Sequence, residues 1–216
     1  VGSWWLPIAF LGIYLLIMVA LTRIRAETAV LSTELIWINP QTILPLMTGT
    51  ESLSHTDLAH MGMLSWFNSD YRAAPMPHEL EGFVGVRRAK GRLHPLVWAI
   101  MLAAAVALVS ALLWDLQMYY VNGASTGKVN SWRISKGEEP WRGLQTWLVN
   151  PKPPNWVAMS AMAVGFAITF LLAALRQKFF GFPLHPAAYV LNTSFANDFF
   201  WLDMFIAWLA KTLILR

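Results

Sequence analysis

Thr22-Arg23-Ile24-Arg25-Ala26-Glu27 and Arg87-Arg88-Ala89-Lys90-Gly91-Arg92 close the two ends of a stretch, 22–94, that lies between apolar runs. The stretch is too polar to cross a bilayer as one simple helix and too long for a tight turn. Its basic ends sit directly beside the apolar runs, where Arg and Lys act as orientation signals in a membrane protein. The rest of the chain reads as spans, or as connections between spans, arranged around it.

Composition supports a bilayer. Of the 216 residues, 13% are charged and 56% hydrophobic, whereas an average soluble domain is about 25% charged. Mean hydropathy is +0.47. Twelve Trp and twelve Phe suit two aromatic interface belts. The absence of cysteine excludes disulfides, thiolate metal sites and a cysteine nucleophile. The net charge of +4 comes from basic residues beside apolar runs, which is not a nucleic-acid footprint.

Four spans are expected, at about 4–21, 95–119, 156–175 and 198–215. The first has no basic lead and no small-residue cleavage site, so it reads as a span and not a signal peptide. Because the chain starts and stops at spans, it is expected to be a piece of a longer protein. Residues 1–216 form a single membrane domain in this reading.

Within 22–94, residues 35–50 are apolar but interrupted by Pro40, Pro45 and Gly49, which predicts a re-entrant or interfacial segment. Ser54 and Asp57 have capping-box spacing and predict a helix from His55 to about Asn68. Pro75 and Pro77 predict extended backbone. Residues 121–155 read as a polar connection rich in Gly, Pro and Trp. Residues 179–197 read as a broken membrane segment, in which a short helix restarts at Pro186, runs to Leu191 and has its start buried beside His185.

The first stretch holds seven Lys and Arg, six of them close to a span, and 121–155 holds five, mostly far from the spans. The positive-inside rule then places 22–94 in the cytoplasm, with short helices at the interface, and 121–155 in the periplasm. The same rule favours a full crossing by 179–197 over a dip in and out.

Several polar residues admit two readings. Glu27 is either one half of an ion pair at a helix end or a carboxylate at the mouth of a pathway. Asp203 and Lys211 fall inside the last apparent span; Lys211 can snorkel, whereas Asp203 has no long stem. Asp115 is near an interface. His78-Glu79-Leu80-Glu81-Gly82 begins like a zinc motif but has Gly82 where a second His is needed. His55 and His60 point to different helix faces. No nucleophile elbow or phosphate loop occurs.

The Thr22–Glu27 run, the Trp66-to-Phe83 stretch, Pro183-Leu184-His185-Pro186 and Ala207-Trp208-Leu209-Ala210-Lys211 together carry a resemblance. It is to a bacterial and archaeal family of large multi-spanning proteins with two adjacent domains of unknown function. It covers nearly the whole chain and implies a place in the C-terminal half of such a protein. The chain departs from the family pattern at Ala29, where a Gly is expected, at Ser69, where a basic residue is expected, and at Glu79, where Gln is expected. The family's layout is distantly similar to that of oligopeptide transporters, which implies transport by analogy and supplies no substrate.

The expected fold is all-α, a polytopic transmembrane helical bundle with re-entrant or broken helices, in the inner membrane and multi-pass. The expected function resembles that of a secondary transporter for a small solute of the peptide or metal-chelate kind, and not that of an enzyme. Arg25 and Arg72 can hold a carboxylate, Glu27 and Asp203 can couple to protons or cations, and His78 and His185 can relay protons. The alternatives are a non-transporting scaffold or assembly subunit and a membrane-embedded enzyme acting on lipid-linked substrates. No cofactor or metal is expected. The expected partners are the lipid bilayer, the remainder of the polypeptide and a second copy of the chain; nucleic acid is not among them.

Overall fold

The computed structural model describes residues 2–28, 35, 38–68, 71, 74–124, 126–192 and 194–215. Among these the fold is all-α. The helices are α1 (Trp5–Thr28), α2 (Pro40–Thr48), α3 (His55–Leu64), α4 (Pro75–Arg88), α5 (Leu93–Asn122), α6 (Ser131–Val149), α7 (Trp156–Lys178), α8 (Pro186–Leu191) and α9 (Phe195–Ile214). A 3₁₀ turn, Ser65–Asn68, extends α3.

Three helices, α1, α5 and α7, are long and apolar enough to cross a membrane. At 1.5 Å per residue they reach about 36, 45 and 35 Å, against roughly 30 Å of hydrocarbon. No residue of α5 or α7 is buried. A helix that is apolar all round and uncovered needs an apolar surrounding. The fourth expected span forms α9, which starts earlier, at Phe195, and carries Asp198, Asp203 and Lys211. With those three charges it falls outside the set of three.

One stripe of α1 is covered: Leu6, Phe10, Met18 and Leu21 are buried, at the three-to-four-residue spacing of one helix face. Its N-terminal half packs with Leu44, Leu53, Leu58 and Met61. Its C-terminal half packs with Leu35, Tyr71 and Ala74. The chain therefore leaves α1 at Thr28, passes Met18 and Leu21 at Leu35, reaches the level of Leu6 and Phe10 at Leu44 and Leu53, and is back beside Met18 and Leu21 at Tyr71. Twelve residues of α1 separate those levels, a climb of about 18 Å. The stretch 22–94 is thus divided: its ends lie at the C-terminal end of α1 and its middle forms a hairpin along that helix.

The hairpin tip is held at two places. Asp57 is 2% exposed and accepts from Ser3 N–H at 2.6 Å and Ser3 hydroxyl at 2.9 Å. It also completes the capping box with Ser54, whose side chain accepts from Asp57 N–H. Burial pushes the Asp57 carboxyl up, but the hydrogen bonds from Ser3 and Ser54 outweigh it and hold the group below its ordinary value. The second hold is a clamp to the start of α7. Thr50 N–H donates to the Lys152 carbonyl at 2.8 Å, and Asn155 N–H donates to the Leu46 carbonyl at 3.0 Å. Lys152 N–H returns a bond to the Thr50 hydroxyl. Gly49 permits the approach: its φ is +73°, and a Cβ there would lie 2.8 Å from Pro154 and 2.9 Å from the Lys152 carbonyl.

Two local expectations are corrected. Pro75 and Pro77 do not force extended backbone; Pro75 opens α4 and Pro77 lies in its first turn. The N–H groups that proline lacks have no intrahelical partner in a first turn, so both are tolerated. Residues 121–155 are not only a connection: 131–149 form α6, capped by Asn130 and packed against α3. Pro140 interrupts α6, while Lys136–Glu139 and Glu138–Arg142 pairs support it from the outside.

Asp57→Asn leaves the shape of the tip and removes the charge that the Ser3 and Ser54 donors face. The protein in detergent is expected to lose about 1–3 kcal/mol, lowering Tm by about 2–4 °C per kcal/mol. The folded-state pKa is depressed, so the wild-type margin is complete above the ordinary carboxylate range and is lost as pH falls through the lower folded value. Equal melting of the two proteins at neutral pH would refute the role. For topology, an impermeant maleimide applied to intact cells is expected to modify Glu51→Cys and to spare Lys178→Cys. Modification of both from outside, or of neither, would show that the hairpin tip and the end of α7 lie on one side.

Candidate functional site

The C-terminal end of α1 gathers most of the polar side chains singled out in the sequence. Arg25 and Glu81 join α1 to α4: Arg25 Nε lies 2.5 Å from Glu81 Oε1 and Nη2 lies 3.3 Å from Oε2. This two-point geometry is the favoured one for guanidinium and carboxylate. Arg25 is the more covered partner, 14% exposed against 56% for Glu81. The Arg25 hydrogen bonds, opposed in part by burial and reinforced by the charges of Arg25 and His78, hold the Glu81 carboxyl below its ordinary value. His78 stands one turn before Glu81 on α4.

Glu27 is one half of an ion pair at the end of α1. Arg23 Nε donates to Glu27 Oε1 at 2.8 Å, one turn earlier on α1. On its other side lies His185, with Nε2 3.8 Å from Glu27 Oε2. His185 caps α8: its Nδ1 accepts from Ala187 N–H at 3.0 Å. An accepting Nδ1 carries no proton, so the neutral ring holds its proton on Nε2, the nitrogen that faces Glu27.

The helix that His185 caps is the one expected from Pro186 to Leu191. Ala187 is buried, and Val190 packs against the Met18–Leu21 level of α1. The approach to it is open: Phe179, Phe180 and Leu184 are exposed. Tyr189 points its hydroxyl to within 3.6 Å of where a Cβ on Gly165 of α7 would sit. Six helical residues rise about 9 Å, under a third of the hydrocarbon thickness. The helix lies alongside α7 and points inward from the end of α1.

Between α1, α7 and α8 is an open cavity of about 390 Å³ lined by Arg23, Glu27, Ala173, Arg176, Gln177, His185 and Pro186. Arg176 and Gln177 belong to the last turn of α7, and Arg176 makes no ion pair with the described residues. A larger groove of about 580 Å³ lies among α2, α3 and α6, with Trp66, Trp141 and Trp147 on its walls.

Of the residues expected to form a pathway, Glu27 and His185 come together. Arg25 is occupied by Glu81 and does not reach the cavity lining. Asp203 is exposed on α9 and makes no ion pair with the described residues. Arg72 lies outside the described residues, as do Ala29 and Ser69. Arg23 and Arg176 supply the guanidiniums of the cavity lining. The i, i+4 spacing of Arg23 and Glu27 was a readable signal; the meeting of Arg25 with Glu81 depends on tertiary packing and has none. Asp115 pairs with Arg133 of α6 at 2.6 Å, which makes it a connector between α5 and α6. Among the described residues no group of three or more His, Asp or Glu is placed to hold a metal.

Neither the curated proteins nor the solved structures give a match, and no similarity to oligopeptide transporters is shown. One family model covers the chain over residues 2–216, its description being a family of unknown function, DUF6785. That coverage, on an all-α chain with three helices fit to cross a membrane, means that the chain belongs to the DUF6785 family of unknown function.

Proposed function

We propose that this chain is part of a multi-pass inner-membrane protein that moves a small solute, of the peptide or metal-chelate kind, in the manner of a secondary transporter. The observation that carries the reading is the short inward helix α8, whose capping residue His185 meets Glu27 at the edge of a polar cavity between two helices fit to cross a membrane. Interrupted helices at membrane depth are tolerated where they line protein or water, and transporters use such ends to hold substrates and ions. Glu27 and His185 are the coupling pair in this reading, and Arg25 with Glu81 is the strut that positions the end of α1. The reading assigns the chain no bond-making step and no cofactor, and its partners are the bilayer, the rest of the polypeptide and a second copy of itself.

A scaffold reading draws on a different observation: α5 and α7 bury none of their residues in this fold, which leaves helix faces open to other membrane helices.

The test is flux through the full-length protein in proteoliposomes, with a labelled dipeptide mixture and ferric citrate as probes. Glu27→Gln is expected to insert normally and to lower the flux of whichever probe moves by tenfold or more, while Asp203→Asn leaves it within twofold. Absence of flux for both probes, or flux indifferent to Glu27→Gln, would leave the scaffold reading in its place.

A further inference from the structure

The cavity beside His185 holds an unequal set of charges. From α1 come Arg23 and Glu27, from α7 Arg176 with the Gln177 amide, and from α8 His185. Glu27 engages Arg23, and with the described residues Arg176 engages nothing. Two guanidiniums against one carboxylate favour an anion over a cation. A guanidinium is a planar fork of donors matched to carboxylate and phosphate oxygens. The volume, about 390 Å³, falls in the range of small-molecule sites.

We infer that this cavity binds an oxyanion, a phosphate or carboxylate group, between Arg176 and Arg23, and that Glu27 is a built-in competitor which the ligand displaces from Arg23. Displacement leaves Glu27 facing His185 Nε2, 3.8 Å away. A protonated His185 satisfies the displaced carboxylate as an ion pair, at the loss of its cap on Ala187, because Nδ1 then becomes a donor. Oxyanion binding is therefore coupled to proton uptake: the site holds its ligand more tightly at pH 5 than at pH 8, the interval over which imidazole ordinarily changes charge. The inference deepens the transport reading and rests on the same cavity. The oxyanion can belong to a soluble solute or to the headgroup of an anionic lipid, since basic pockets between membrane helices take both chemistries.

The test uses the full-length protein in phosphatidylcholine nanodiscs. One arm titrates sulfate, an oxyanion whose charge is the same at both pH values, by calorimetry at pH 5 and pH 8. The other doses phosphatidylglycerol into the discs and counts retained lipid by native mass spectrometry. In at least one arm Arg176→Gln is expected to weaken binding tenfold or more, and Glu27→Gln to tighten it at pH 8 and flatten its pH dependence. His185→Asn keeps a capping oxygen for Ala187 and is expected to abolish the gain at pH 5. Binding confined to phosphatidylglycerol upholds the oxyanion site and removes the solute from the transport reading. Binding in neither arm, binding unchanged by Arg176→Gln, or binding weakened by Glu27→Gln overturns the inference.

Discussion

Asp57 accepts four hydrogen bonds from two residues in different parts of the chain, Ser3 ahead of α1 and Ser54 ahead of α3. A carboxylate this closed off from solvent would be costly without partners. Here the donors satisfy both oxygens, and the starts of two helices, each the positive end of its dipole, turn toward the same charge. The rest of the fold depends on this meeting. It fixes the tip of the 35–71 hairpin at the first turns of α1, which brings Leu53, Leu58 and Met61 onto Leu6 and Phe10. It sets α3 where α6 can pack on it, and it presents Gly49 and Thr50 to the start of α7.

Much of the helical inventory was legible because it rests on local chemistry. Ser54 and Asp57 announce a cap by spacing alone, and Pro186 announces a restart because proline suits a first turn. A different property of proline, its restriction of the residue before it, misled at Pro75 and Pro77, where the residues after them, His78 to Arg88, carry the helix on. The α6 helix was hidden by Gly137, Pro140 and Gly143; its partners on α3 supply the stability that its own residues lack. Pro40, Pro45 and Gly49 announced a segment that does not span, but the path of the hairpin along α1 was not legible. Nothing in Leu35 or Leu53 says which level of α1 each will touch, and the charge pattern that places the ends of 22–94 is silent about its middle.

The candidate site divides in the same way. Glu27 and His185 stood out as polar residues at the ends of apolar runs, and the fold brings them together across about 160 positions. The two arginines nearest Glu27 in sequence part company: Arg25 faces α4 and Glu81, while Arg23 faces Glu27. Two positions apart on a helix point in directions roughly 200° from each other, so the distinction depends on which side α4 docks. Asp203 stood out for the same reason as Glu27, yet α9 leaves it exposed and outside the cavity.

The clamp between Thr50 and Lys152 joins residues 102 positions apart. Chains emerge from the ribosome at about 5–20 residues per second, so the tip of the hairpin waits roughly 5–20 s for the backbone that locks it. During that interval Asp57 and the apolar contacts to α1 must hold it, and α5 has already been made. Closure of the hairpin is consequently a late event: the clamp cannot form until Lys152 has been made, and a slow ribosome lengthens the period in which only Asp57 and the contacts to α1 are there to hold the tip.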